Sequence, residues 1–237
     1  MNWIISSKLL ELQSLVNVSL PTLLSTLYDL NHHLWLDANL TPLTMGERGH
    51  AVDHLAYTDE GDLILNDRGY PAFWFLVFHQ SLGRNYCMRL PFNFHKKASD
   101  FYYSKEEEIT INLEPGERAK TLCLLHDLPT DPLRIRLIRV HLDSGEQEIL
   151  ITSLLDPEKY PVAIFKDLYH LRWGHEEGYK HLKVHAELQN WTGRGLHVIF
   201  QDLHSKILTL NLTAMHVTAA QIEVGKKTKH RKFFCQV

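Results

Sequence analysis

Tyr169-His-Leu-Arg172-Trp-Gly-His-Glu176-Glu-Gly-Tyr-Lys180-His-Leu-Lys183 is the stretch on which the fold of this chain turns. Tyr169, Arg172, Glu176, Lys180 and Lys183 stand at offsets 0, 3, 7, 11 and 14. At about 100° per residue on an α-helix they fall within an arc of roughly 80°. One helix face then carries a phenol, a guanidinium, a carboxylate and two ammonium groups. Cations in such a row can grip phosphates, and the carboxylate can hold a divalent metal between them. A solvated face with Glu–Lys pairs one turn apart is the blander interpretation. It leaves the register of Tyr169 and Arg172 with Glu176 without a reason.

Upstream, Gly61-Asp62-Leu-Ile-Leu-Asn-Asp67-Arg68-Gly69-Tyr70-Pro71 holds a short continuous apolar run, Leu63 to Leu65, of the kind that suits a strand buried on both faces. Asp67 closes that run, where a carboxylate can meet a metal at a sheet end. Taken alone it reads equally well as a turn or capping residue. Ala72 to Leu82 reads as a helix, with Phe73, Trp74 and Phe75 packing behind the Asp67 strand.

The segments around these two pieces supply the architecture. Thr22–Tyr28 and Leu34–Leu40 read as two strands about a turn, and Glu47–Tyr57 as a helix. Residues 84–153 alternate or run β-branched between Gly, Pro and Asp, which gives a β-rich insert. After Asp156-Pro157 the texture turns helical. One helix is expected from about Val162 to Val184. Gly193-Arg194-Gly195 ends that segment, and a long amphipathic helix follows over Leu196–Glu223, with Ile199, Leu203, Ile207, Leu210 and Ala214 as its core stripe. The class is therefore α/β, a mixed sheet with helices, with an acid at the end of a central strand. The expected divisions are 20–83 for the first part of the core, 84–153 for the insert, 154–225 for the C-terminal helical part and 226–237 for a basic tail.

Composition sets limits. The chain has 237 residues, 44% apolar and 22% charged, which is globular and not disordered. No apolar run reaches the roughly 18 residues that span a bilayer, and the first residues lack the basic start of a secretory signal. Three scattered cysteines, Cys87, Cys123 and Cys235, with no C-x-x-C pair, exclude a disulfide scaffold or a cysteine zinc site as organising principle. A cytoplasmic, nucleoid-associated location is expected, with no membrane partner. The net charge of −3 splits into −7 over residues 1–150 and +4 over 151–237. Such asymmetry permits an anionic partner on the C-terminal half.

Together the pieces resemble a family. Tyr-x2-Arg-x3-Glu-x6-Lys, matched by Tyr169, Arg172, Glu176 and Lys183, is similar to the signature of IS4-family insertion-sequence transposases of the DDE type. Gly61 to Pro71 resembles the strand that bears the second catalytic aspartate of that family. The resemblance covers roughly residues 20–230. It implies a ribonuclease-H-like fold and metal-dependent phosphodiester hydrolysis and strand transfer at transposon ends. It implies Mg²⁺ or Mn²⁺ as cofactor, DNA as partner and a homodimer. Asp67 and Glu176 would be catalytic metal ligands. Tyr169, Arg172, Lys180 and Lys183 would face DNA, with Trp173 packed behind. The separation of Asp67 and Glu176, 109 residues, leaves room for the insert.

The chain departs from the family at its first strand. No Asp precedes Asp29. Ile4-Ile5-Ser6-Ser7-Lys8-Leu9 stands where the first catalytic aspartate belongs, and in one register Ile5 takes its place. The expectation is a truncated copy with an incomplete triad and no DNA cutting. A second reading is a non-catalytic DNA-binding or dimerisation remnant that inhibits intact transposase. A third is a His-based zinc hydrolase, since His181 and His185 have the i,i+4 spacing of a zinc pair, although no general-base Glu lies between them.

Overall fold

A computed structural model describes residues 4–12, 22–42 and 46–228. The expectations for the segment before residue 4, for most of the basic tail and for Cys235 lie outside the described residues. Strand β1 (Ile4–Leu12) is followed by β2 (Thr22–Asp29) and β3 (Leu34–Pro42), helix α1 (Glu47–His54), β4 (Leu63–Asn66), α2 (Phe73–Ser81) and β5 (Asn85–Arg89). Then come α3 (Lys96–Tyr103), β6 (Glu108–Leu113), α4 (Glu117–Leu125), β7 (Leu133–His141), β8 (Gln147–Thr152), α5 (Phe165–His170), α6 (Trp173–Lys180) and α7 (Leu196–Thr228).

The eight strands form one mixed sheet in the order β3-β2-β1-β4-β5-β8-β7-β6. β1, β2 and β3 are an antiparallel meander, while β1, β4 and β5 run parallel. That arrangement is the expected ribonuclease-H-like core. The expected boundary at residue 84 falls between β4 and β5, which pair directly. Segment 84–153 is β-rich as expected, but its strands continue the same sheet and it also carries α3 and α4.

Residues on alternate faces of the strands sort into two cores. Leu63, Leu65, Cys87, Ile138 and Leu150 pack under Phe165, Tyr169, Tyr179, Ile199, Leu203 and Ile207 of α5, α6 and α7. Tyr86, Met88, Ile135, Leu137, Ile149 and Ile151 pack under Ala51, Phe73, Phe75, Leu76, Ala98, Phe101 and Cys123 of α1, α2, α3 and α4. The sheet is thus covered on both faces, which is why all four residues of β4 are buried. Phe73 and Phe75 sit in the second core with Trp74 packed against it, as expected for the residues behind Asp67.

His79 of α2 is fully buried, and its Nδ1–H donates to the Phe75 carbonyl at 2.8 Å. Burial pushes its pKa down from 6.5 to about 4, against the opposing pull of that carbonyl. The native state therefore holds a neutral imidazole while the unfolded chain protonates near 6.5. Stability is complete above that value and declines as pH falls from about 6.5 to about 4, by ~3 kcal/mol in total. Melting the chain and a His79→Gln variant across this range should show the wild-type advantage shrinking toward acid. Parallel curves would contradict a neutral buried His79.

Candidate active site

The expected single helix over 162–184 is broken. A 3₁₀ turn at Val162–Ile164 leads into α5, α6 begins after Arg172, and a π-helical turn spans His181–His185. Arg172, Gly174 and His175 each donate to a carbonyl three residues back, which tightens the chain between α5 and α6. Because 3₁₀ and π turns advance each residue by more and by less than an α-helix, the row of side chains is not one straight face.

What sets this shape is docking on β2 and β3. Thr26 shares hydrogen bonds with His175 Nε2 (2.8 Å) and the Tyr179 hydroxyl (2.6 Å), both buried. The His175 ring stacks between Tyr28 and Tyr179, at 5.3 and 5.0 Å. Gly178 allows the close approach: a Cβ there would lie 3.2 Å from Trp35 and Tyr28 ring atoms. These contacts fix the register of α6 and hence where Glu176 stands.

Glu176 receives a hydrogen bond from Arg172 at 3.0 Å and is about one-third exposed. Asp67 follows β4, accepts from the Arg68 backbone N–H at 2.7 Å and pairs with Arg89 at 2.7 Å. Arg89 also pairs with Glu148 of β8 at 2.6 Å. Partial burial would raise the Asp67 pKa, but the Arg68 amide and the Arg172 and Arg89 guanidiniums outweigh it and hold the carboxyl below the usual range. Arg172 therefore pairs with Glu176 and acts electrostatically on Asp67, which stands 109 positions earlier in the sequence, just after β4.

Tyr169 and Arg172, expected to hold DNA phosphates, are instead each 6% exposed. The Tyr169 hydroxyl donates to the Asn66 carbonyl at 3.2 Å, and the Arg172 guanidinium lies over its ring at 5.5 Å. Burial raises the Tyr169 pKa well beyond its ordinary value, so the phenol stays a neutral donor. Arg172 braces Glu176 from inside, and Tyr169 ties the segment to the end of β4. Trp173, expected to pack behind them, is 54% exposed. Lys180 and Lys183 are exposed, Lys180 beside Glu177. His181 and His185 stack at 5.0 Å on the π turn, on an exposed face. Among the described residues no three His, Cys, Asp or Glu side chains come together as metal ligands. Sequence reasoning missed Arg89, Glu148 and the Thr26–His175–Tyr179 anchor, whose partners lie between 59 and 153 positions apart. No local signal marks them.

Residues 22–212 match the family model described as transposase DDE domain. This chain belongs to the DDE transposase family. Among solved structures, this chain resembles a piggyBac transposase in a synaptic complex with hairpin DNA at 5% identity and a TM-score of 0.45. That match covers 98% of this chain and spans 55% of the length of the other. It also resembles a Ciona intestinalis endonuclease V in complex with an inosine-containing DNA, at 11% identity over 63% of this chain and 69% of that one, with a TM-score of 0.30. No curated protein matches the sequence. Among the described residues, no helix is long and apolar enough to cross a membrane.

The transposase family uses divalent metals such as Mg²⁺ or Mn²⁺. A two-metal centre needs several carboxylate oxygens at one point. Here Asp67 and Glu176 are each matched by an arginine. The β1 backbone pairs Ile4, Ile5 and Ser6 with Leu63, Ile64 and Leu65. Ile5 is thus level with Ile64 and not with Asp67; two residues beyond Ser6, the position level with Asp67 is Lys8. No Asp or Glu occurs from residue 4 to residue 10. Among the described side chains the donor set does not fit a three-carboxylate, two-metal centre.

Proposed function

We propose that this chain is a decayed IS4-type DDE transposase that binds DNA and does not cut it. What supports this reading is that Arg172 pairs with Glu176 and acts on Asp67, while the β1 position level with Asp67, by extension of the register, is Lys8. Asp67 and Glu176 are the two remaining members of the catalytic triad, with their negative charge offset by Arg89 and Arg172. Lys180 and Lys183 contact DNA phosphates. Tyr169 and Arg172 are positioning residues. The protein works in the cytoplasm at the nucleoid as a homodimer, or pairs with an intact transposase and inhibits it. The second role needs only the DNA surface, which the lost carboxylate does not touch.

Fluorescence anisotropy with labelled duplex DNA tests this reading. Affinity should fall steeply with salt, and Lys180→Ala with Lys183→Ala should lower the slope of log K against log salt by about two. A slope unchanged by both substitutions would remove the lysines from the DNA surface. Absence of any salt-dependent binding would remove DNA as the ligand.

A further inference from the structure

His181 and His185 stand on the π-helical turn that follows α6. Their ring centroids lie 5.0 Å apart and their planes differ by 29°. Both residues are exposed, and among the described residues neither ring makes a hydrogen bond or an ion pair. Other histidines serve the fold. His50, His54, His79 and His175 are buried, and they bond respectively to Thr41, to Ser25 and Asp37, to the Phe75 carbonyl and to Thr26. The pair at 181 and 185 has no such part.

The backbone beneath the two rings is unusual. The Ala186 N–H donates to the His181 carbonyl at 3.1 Å, five residues back, as a π turn requires. Glu187, next in the chain, takes a positive φ of 48°. π turns inside helical segments are rare and recur at functional sites. A non-glycine residue in the left-handed region is held there only by its surroundings, and such residues cluster where a ligand is gripped. Two imidazoles four residues apart on one helical face have the spacing of a metal pair.

Distances agree with that chemistry. An imidazole nitrogen binds a zinc-like ion at about 2.0–2.1 Å, so two nitrogens on one tetrahedral ion lie roughly 3.3 Å apart. Rings stacked at 5.0 Å reach that separation by small turns of exposed side chains. We propose that His181 and His185 together chelate one divalent ion of the nickel, copper or zinc type, with water in its remaining positions. Imidazole suits these ions, whereas Mn²⁺ stands lowest in the affinity series and Mg²⁺ prefers oxygen. No third side chain joins them: Glu177, four residues before His181, is paired with Lys180, and the Glu187 carboxylate accepts from Asn190. Between the two histidines stand Leu182, Lys183 and Val184, so the site offers no general base and binds without hydrolysing. Leu182 and Leu188 anchor this segment in the first core, and an ion across the turn between them stiffens the link. The site is separate from Asp67 and Glu176, and it does not depend on DNA binding.

Titrating nickel chloride into the chain without a polyhistidine tag, followed by isothermal calorimetry, tests the site. One ion per chain should bind at the tightest site. His181→Ala and His185→Ala should each weaken it about tenfold or more, because the second nitrogen no longer binds within an already formed complex. His197→Ala, at another exposed histidine, should leave the affinity unchanged. Acid should weaken binding, since both nitrogens must be free of protons. Ni²⁺ at about 100 times its dissociation constant should raise the melting temperature by about 5 °C, an effect that Mn²⁺ lacks and that both variants lose. His185→Gln repeats the test with a side chain of similar length, and circular dichroism checks that each variant is folded. No binding of Ni²⁺, or wild-type affinity in any folded variant of His181 or His185, or an equal loss in His197→Ala, overturns the site.

Discussion

Mn²⁺ is expected to leave the melting temperature of this chain unchanged and to raise that of a Lys8→Asp variant by about 5–10 °C. The two carboxylates are already matched by Arg89 and Arg172, and no Asp or Glu occurs from residue 4 to residue 10. A metal gains little by displacing a guanidinium from a carboxylate unless further oxygens complete its shell. Lys8 is level with Asp67 by extension of the β1–β4 register, so Asp there adds a carboxylate and removes a cation at one stroke. A ligand at about 100 times its dissociation constant contributes roughly 2.7 kcal/mol. For a chain of this size each kcal/mol moves the melting temperature by about 2–4 °C. The same variant should nick supercoiled DNA in Mn²⁺, and adding Glu176→Gln should abolish both effects. Nicking by the unsubstituted chain that disappears in Glu176→Ala would mean that another residue completes the triad, and the decay reading would be wrong.

Arg136→Ala should destabilise the fold more than any change at the site. Arg136 of β7 is 1% exposed, yet its guanidinium carries the charge of a surface residue. Its Nη1 donates to the carbonyls of Leu154 (3.2 Å) and Tyr160 (2.7 Å), it pairs with Glu108, and it lies over the Phe165 ring at 5.5 Å. It thereby ties β6 and β7 to the segment that leads into α5. Removing one partner of a buried charged network costs about 3–5 kcal/mol, which is about 6–20 °C of melting temperature. Arg136→Lys should recover only a small part, because an ammonium cannot reproduce the planar fork. Thermal melts of the three proteins decide it. A loss below one degree for Arg136→Ala would mean that the segment entering α5 is held by other contacts.

Much of the fold was readable from local chemistry. The β2–β3 hairpin showed in β-tolerant runs on either side of Asp29 to His33, where His33 takes a positive φ of 58°. β4 showed as an apolar run because a strand covered on both faces needs no polar alternation. α7 showed in its 3–4 spacing, since only one side of it meets the core. Asp67 and Glu176 were legible as carboxylates through the spacing around them. The broken course of 162–185 was not, because ideal helical offsets assume that every turn is α. Here the docking of His175 and Tyr179 on Thr26 and the inward bonds of Tyr169 and Arg172 decide the local twist. Reading Tyr169 and Arg172 as outward phosphate grips failed for the same reason: spacing gives a face, and packing decides whether that face meets water.

By itself the sequence determined the α/β class and the positions of most elements, because these depend on periodicity within short windows, and its motif residues carried the resemblance to DDE transposases. Only the tertiary structure decided that Arg89 pairs with Asp67, that Arg172 pairs with Glu176, and that Lys8 is level with Asp67 by extension of the register. The first and last of those facts join residues at separate strands, and the sheet order that brings them together is a property of long-range pairing that no local pattern encodes.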